Sequence, residues 1–471
     1  MSKQILKYFL ILAFLPILEI LQAQNSFSVE EAVQYAIKNH SSTQKDLNKI
    51  ADAEAQMKAI RATGLPQING SAEYQYFIEV PSFPTPNFGG GGIDPVRQYN
   101  LLNEEQLKDY DAKLLAQQQS APKTISLQQR NNINLGLNAS ILAFDGSYLV
   151  ALKAAKLFRE YVKSQTEITP ITIRKNVTDS YYTVLIAEKN KAQLEKNISI
   201  IQTLRNEAGE IYKAGLNEKL DVDRIDLSIS NLQSTVNVLG RNIEILKNVL
   251  KFQMQLPMDQ QIVLTDNFDE IYNEAQNEQS KAVEQLNIQN RPEYRSIGKG
   301  IELAKLDIDR YKKGYLPSLS IFGQFGRGFQ SDNIFKSGGL WIPSSLVGIK
   351  LSVPIYDGGA KKANIQRSQI VVDNNVIDRN DFERATSLEV INAQKSYLNA
   401  LETVKDKQKT LDLAQEIFRV SQVKYKEGIG ASFETQQAET ELYSAQAGLI
   451  QAQSEVITSK FAIEKALGNF E

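Results

Sequence analysis

The chain carries the same series of signals twice. Leu65-Pro66 opens an alternating stretch, as does Leu316-Pro317; Phe144-Asp145-Gly146 closes another, as does Tyr356-Asp357-Gly358. Tyr212-Lys213-Ala214-Gly215 punctuates a long helical run, as does Tyr425-Lys426-Glu427-Gly428. The offsets are 251, 212 and 213 residues, so the two halves align, with 39 extra residues in one loop of the first. Internal symmetry on this scale restricts the chain to folds built from two like units. Each half reads as strand, loop, strand and then a very long helical hairpin, an order hard to reconcile with an ordinary soluble enzyme.

Compartment decides how the strands are read. Lys3 and Lys7 precede an apolar run over residues 8–21, interrupted by Pro16 and Glu19, and Ala23 offers a small residue for cleavage. This pattern predicts a secretory signal peptide over residues 1–23. No later stretch reaches the ~20 apolar residues that a spanning helix requires. The chain has no cysteine, which excludes disulfides and lipidation of an amino-terminal cysteine. A formal net charge of −2 over 471 residues argues against a nucleic-acid partner.

Four segments alternate with period two. Residues 133–141 place Ile133, Leu135, Leu137, Ala139 and Ile141 on one side, with small or polar residues between them. Residues 67–76 set Ile68, Ala72, Tyr74 and Tyr76 against Gln67, Asn69, Ser71, Glu73 and Gln75. In the second half, Leu319, Ile321 and Phe325 oppose Ser318, Ser320 and Gln324, and Val347, Ile349, Leu351 and Val353 oppose Gly348, Lys350 and Ser352. Each segment is about the 9–11 residues of a tilted membrane strand, and Tyr74, Tyr76, Phe325, Phe329 and Trp341 could supply an interfacial aromatic girdle. A half-buried soluble sheet alternates in the same way. Export, the lack of a spanning helix and the repeat favour the barrel. Four strands cannot close, because open edges are not tolerated in hydrocarbon and the smallest outer-membrane barrels need about eight strands. The expectation is therefore several copies of the chain completing one barrel.

Most of the remaining length is helical. Residues 147–212 favour helix except at Pro170 and Gly209, which at ~1.5 Å per residue would extend roughly 100 Å. Leu194, Ile198, Ile201, Leu204, Ala208 and Ile211 form a coiled-coil seam, and Leu232, Val236, Leu239, Ile243, Leu246 and Leu250 return it. A shift of 213 maps the second set onto Ala445, Leu449, Ala452, Val456, Ser459 and Ile463. Gly215 and Gly428 stand where helix-ending glycines belong. Pro170 predicts a kink or break that its counterpart around Phe382 lacks. Helices are also expected over residues 28–62 and from Arg291-Pro292-Glu293 towards Gly314, and residues 103–119 predict a short helix in the long first loop. The chain so divides into the signal peptide (1–23), a first repeat (24–256; strands at about 66–80 and 131–144, hairpin at about 147–255), an equatorial connector (257–278) and a second repeat (279–471; strands at about 317–330 and 344–355, hairpin at about 359–467).

The doubled order of Gly-x-Leu-Pro (Gly314-Tyr315-Leu316-Pro317), strand, Phe/Tyr-Asp-Gly, long helix and Tyr-x-x-Gly hairpin tip resembles the TolC family of outer-membrane efflux proteins across essentially the whole chain, through Ala466-Leu467-Gly468. The resemblance implies an α+β membrane protein of two tandem structural repeats. Each chain would give a four-stranded contribution to a trimeric transmembrane β-barrel, and long α-helical coiled-coil hairpins forming a periplasmic tunnel. It implies an exit duct for efflux or type I secretion in the outer membrane of a Gram-negative bacterium. The implied partners are two further copies, outer-membrane lipid, a periplasmic adaptor (membrane fusion) protein and an inner-membrane RND, ABC or MFS transporter. By position, adaptor docking falls on the hairpin tips, Ala214-Gly215-Leu216 and Glu427-Gly428-Ile429, where the family's glycines are kept and its valines are not. The family's two acidic rings fall on Glu434 and Gln437, so one ring is kept. Asp221 and Tyr425 match members of its closing network, whereas the arginines expected at Gly430 and Gln453 are absent. Asp221 is therefore expected to lack its cationic partner.

Bland explanations compete at these positions. Asp221, Asp223 and Asp226 open a helix, where the macrodipole favours acids with or without a pore. Tyr425 follows Phe418 by seven and Leu411 by fourteen, which fits core packing as well as an aperture. Catalysis finds little support: His40 is the only histidine and lies among polar residues. No cluster has metal-ligand spacing, no nucleophile elbow appears and no phosphate loop is present. Residues 89–92, four glycines beside Pro81, Pro84 and Pro86, read as surface chain rather than a nucleotide site. No cofactor is expected. Two rival classes remain: a soluble periplasmic coiled-coil adaptor or scaffold, and a passive porin, whose many short strands fit poorly with so much helix.

Overall fold

In the computed structural model, residues 25–84, 95–118, 124–126, 128–215, 218–335 and 338–468 are described. The predicted signal peptide, the four-glycine run and Leu216 lie outside the described residues. In chain order the elements are β1 (Asn25–Phe27), α1 (Val29–Asn39), α2 (Ser41–Ala62), β2 (Gln67–Tyr76), β3 (Ser82–Pro84), α3 (Pro95–Gln98), α4 (Glu104–Gln118), β4 (Thr124–Ser126), β5 (Asn131–Phe144), α5 (Gly146–Thr166) and α6 (Ile168–Lys213). They continue as α7 (Lys219–Met254), β6 (Ile262–Leu264), α8 (Phe268–Asn277), α9 (Pro292–Lys313), β7 (Ser318–Ser331), β8 (Leu340–Ser352), α10 (Ala360–Lys426) and α11 (Ser432–Leu467). The chain separates into two units, and neither coincides with a sequence repeat. Lys58–Leu152 and Asp309–Asn364 form a sheet unit; Met1–Met57, Lys153–Ile308 and Ile365–Glu471 form a helical unit. Each unit draws on both repeats.

In the sheet unit, period-two alternation becomes a four-stranded antiparallel sheet in the order β2-β5-β7-β8. The hairpin of one repeat lies against the hairpin of the other through the β5–β7 pair. Opposed residues in such a ladder share a face, and the register assembles one apolar face across all four strands. Tyr74, Ile133, Phe329 and Trp341 make one row of it, and Ile68, Ala139, Gly323 and Val347 another. Gln67, Asn69, Asn138 and Gln324 face the other way. The apolar face is bare: Ile68 is 72% exposed and Val347 85%. β2 and β8 each pair on one side only. The observed strands differ from expectation at their ends. β2 stops at Tyr76 rather than at about residue 80, with one further bond from Phe77 N to Arg130 O at 2.8 Å. β8 begins at Leu340 because β7 supplies partners that far, and it ends at Ser352, just before Val353 and the donorless Pro354. The loop helix predicted over residues 103–119 is α4, opened by reciprocal bonds between Asn103 and Gln106 of 2.9 and 3.1 Å.

The helical unit is organised by the seams. Ile198, Ile201, Leu204 and Ala208 of α6 are buried, as are Val236, Ile243 and Leu250 of α7. Ala445, Leu449, Ala452, Val456, Ser459 and Ile463 of α11 are all buried too. The connector over residues 257–278 carries β6 and α8. β6 pairs in parallel with β1, and Tyr181 Oη donates to Phe27 O at 2.8 Å, while Asp266 accepts from Val29 N at 2.7 Å. Tyr397 Oη donates to Ala275 O of α8 at 2.5 Å. Tyr181 and Tyr397 are fully buried, so these bonds satisfy groups that water cannot reach.

The proline asymmetry acquires a physical reason. The first repeat's long run breaks at Glu167 between α5 and α6, whereas α10 continues through Phe382 for 67 residues. Pro170 lies in the first turn of α6, where no intrahelical donor is needed, and its ring excludes the carbonyl of residue 166 from a continuous ladder. The break therefore falls just ahead of the proline.

Candidate functional site

Both hairpins turn by the same device. The α10 end is a Schellman motif: Gly428 has φ +76°, Gly428 N donates to Tyr425 O at 3.1 Å and Ile429 N to Lys424 O at 3.0 Å. Gly215 has φ +78° and its N donates to Tyr212 O at 2.8 Å. Left-handed backbone at these two positions accounts for the duplicated glycines. Ala214, Gly215, Glu427 and Gly428 are exposed, and Ile429 is 78% exposed. Leu220 and Phe433 are exposed beside them, which gives the tips an apolar character.

Above the tips the two hairpins pack on one another through a small cluster. Leu204 and Ala208 of α6, Val222 of α7 and Tyr425 of α10 are buried together, with Ile225 against them. Tyr425 is 7% exposed and packs in this cluster. A narrow cavity lies beside it, lined by Arg224, Ser228, Ser432 and Glu439 among others.

Polar links stitch the same region. The Ser432 hydroxyl donates to Asp221 and accepts from Arg224 Nη1 at 3.1 Å. Among the described residues Asp221 makes no ion pair, in keeping with the expectation; Arg224, one turn along its own helix, bonds to the same Ser432 of the second hairpin. Arg205 binds Asp226 through two bonds of 2.8 and 3.1 Å and holds its carboxyl below the usual range. Lys426 meets Glu207 at 2.7 Å, joining α10 to α6. Asp223 is exposed.

Gly430, where the resemblance leads one to expect an arginine, sits in a tight fold of the backbone. A Cβ there would lie 2.9 Å from Lys424 Cβ and 3.1 Å from Tyr425 N, because Gly430 N folds back to Lys424 O. The tip has closed on the space that an arginine would need.

Glu434 and Gln437 are exposed on α11, as is Glu441, which accepts from Gln437 Nε2 at 3.2 Å. Spacings of three and four place all three on one helical stripe. Sequence reasoning found the first acid and missed Glu441, although its place seven residues after Glu434 was readable. It also missed Glu439. That carboxylate is 6% exposed and accepts from Ser228 Oγ at 2.6 Å across the hairpins. Burial pushes its pKa above the ordinary carboxylate value, against the opposing pull of hydrogen bonds from Ser228 and Tyr443. Among the described residues no group of side chains is arranged to hold a metal ion, and no helix is long and apolar enough to cross a membrane.

Residues 283–469 match the outer membrane efflux protein family. Over 186 residues the chain is 25% identical to a probable efflux pump outer membrane protein, TtgC, of Pseudomonas putida, covering 38% of this chain and 37% of that one. It is 22% identical over 175 residues to the alkaline protease secretion protein AprF of Pseudomonas aeruginosa, covering 37% and 36%. These matches span little more than a third of the relatives' own length. Solved structures extend the likeness of fold to nearly the whole chain. The outer membrane protein VceC of Vibrio cholerae superposes with a TM-score of 0.65 at 14% identity, over 93% of this chain and 96% of that one. The outer membrane channel CmeC of Campylobacter jejuni does so with a TM-score of 0.64 at 16% identity, over 94% and 86%.

Proposed function

From a second half that belongs to the outer membrane efflux protein family, in a chain that shares the fold of TolC-type channels, we propose that this protein is an outer-membrane exit duct. It is a channel component and not an enzyme. Three copies each contribute the β2-β5-β7-β8 sheet to one twelve-stranded barrel, and their helical hairpins form a conduit in the periplasm. The observation that carries this reading is the sheet. It turns large apolar side chains outward, Ile68, Leu137, Phe325, Val347 and Ile349 among them, and leaves β2 and β8 open. A soluble protein would cover such a face, and hydrocarbon does not tolerate such edges. Closure by like copies answers both requirements.

The hairpin tips are the periplasmic mouth in this reading. Glu434 and Glu441 give two acidic levels on one stripe, Gln437 lies between them, and Asp221 and Tyr425 hold the hairpins together just behind. Ala214, Gly215, Glu427, Gly428 and Ile429 form the face offered to a periplasmic adaptor, which couples the duct to an inner-membrane transporter of the RND, ABC or MFS class. That transporter supplies energy and selects cargo. The test is purification in detergent, mass determination and reconstitution into planar bilayers. A trimer with predominantly helical circular dichroism and unitary conductance is expected. A monodisperse monomer that stays soluble without detergent would sink the proposal.

A further inference from the structure

The apolar face of the sheet carries a single charge among the described residues. Register sets Leu135 opposite both Ala72 and Arg327, and Arg327 opposite Pro343, so Arg327 stands on the same face as Leu137, Phe325 and Ile349. Glu73 and Lys350, by contrast, fall on the polar face. Arg327 is exposed, and among the described residues its guanidinium has no ion pair or hydrogen bond. Isolated cations are costly on a lipid-facing strand at mid-depth and nearly free of cost close to the interface.

Its level on the sheet supplies the rest. The adjoining row, two residues on, is Tyr74, Ile133, Phe329 and Trp341, with Phe329 and Trp341 in ring contact at 5.1 Å. This is the aromatic level at which a strand leaves hydrocarbon. Two residues of strand rise ~7 Å, a distance that an extended arginine spans, so the aliphatic stem can lie along Leu135 and Phe329 while the head reaches past the aromatics. The row lies at the loop end of the sheet, away from the strand ends that run into α5 and α10. Under the topology proposed above, that end meets the outer leaflet.

We propose that Arg327 is a binding site for the phosphate group of an outer-leaflet lipid, repeated once per chain around the barrel, with Tyr74, Phe329 and Trp341 flanking the headgroup. The inference rests on the outer-membrane reading of the chain. A guanidinium offers two parallel donors to a phosphate, the geometry in which arginine binds phosphate best, and the bare apolar rows below it receive the acyl chains.

The experiment compares the full-length protein with Arg327→Gln and Arg327→Lys, each incorporated into phosphatidylcholine vesicles with and without lipid A as the phosphate-bearing probe. Flotation reports insertion, and native mass spectrometry after extraction reports retained lipid. All three proteins should insert equally. Retention of lipid A should fall about fivefold in Arg327→Gln, the factor one cation near a charged bilayer surface contributes, with partial recovery in Arg327→Lys and no change in retained phosphatidylcholine. Equal retention of lipid A by the parent and Arg327→Gln overturns the inference while leaving the membrane reading intact. Displacement of lipid A by inorganic phosphate at equal concentration would show a soluble-anion site and overturn the lipid assignment. Failure of the parent protein to float with either vesicle removes the membrane reading itself.

Discussion

Glu439 is a carboxylate between two hairpins, with the Ser228 hydroxyl on it from α7, Tyr443 one turn along its own helix, and Arg224 lining the same cavity. A carboxyl whose folded pKa lies above its unfolded one binds its proton more tightly in the native state. Its contribution is complete below the unfolded value and declines as pH rises through the folded one. Glu439→Gln keeps an acceptor for Ser228 and removes the charge. Its unfolding midpoint should exceed the parent's by a few degrees at neutral pH, and the gap should close as pH falls below the ordinary glutamate range. A gap independent of pH in thermal melts would refute the titration argument. Gly430→Arg, the residue the family pattern expects, should fail to restore a lock. Its Cβ meets the backbone of Tyr425, so the variant should open the tip and raise basal conductance. Glu434 and Asp221 were legible by their place in the family pattern, whereas Glu441, seven residues after Glu434, and the buried Glu439 were not singled out. The Arg224–Ser432–Asp221 link was not legible either, since Ser432 lies 211 residues from Asp221 and only tertiary packing brings them together.

At the scale of elements, periodicity was the most informative signal. Period two returned all four strands of the main sheet, and spacings of three and four returned the buried seams of α6, α7 and α11. These patterns are set by which face meets apolar surroundings, and that is written locally. The β1–β6 pair was hidden in the connector because three-residue strands carry no periodicity, and a parallel pair needs partners far apart in sequence. Strand ends were misplaced for a related reason, since a strand stops where its partner does. The hairpin ends offer a direct check on local reasoning. Gly428→Ala places a Cβ in left-handed backbone, which should cost roughly 1–2 kcal/mol, and Gly215→Ala should cost the same because its φ is nearly equal. Gly209→Ala, in the regular interior of α6, should stabilise by about 0.5–1 kcal/mol. Chemical unfolding of the three variants measures the contrast. A loss at Gly209 equal to that at Gly428 would contradict the assigned backbone geometry.

For the whole molecule, the two units place separate demands on the proposed assembly of several copies. The sheet unit satisfies its backbone only between its own strands and leaves an edge on each side. The helical unit presents Glu434, Gln437 and Glu441 on one exposed stripe. In a trimer each such position is repeated around one axis. Walls of low dielectric then focus the field of the acids, so the mouth should prefer cations. Two acidic levels act in series, and removing one should leave the other. Glu434→Gln should therefore weaken cation selectivity without abolishing it, Glu441→Gln should do likewise, and the double variant should come close to non-selective, while Gln437→Ala changes little. Because the tips are joined by Tyr425 packing as well as by the Arg224–Ser432–Asp221 and Lys426–Glu207 links, raised salt should increase open probability only modestly, and Tyr425→Ala should increase it more. Reversal potentials under salt gradients, with single-channel open probability across a salt series, measure both. Selectivity unchanged in the double variant would place the stripe away from the pore. Steep opening by salt alone would mean that charge, and not packing around Tyr425, keeps the mouth shut.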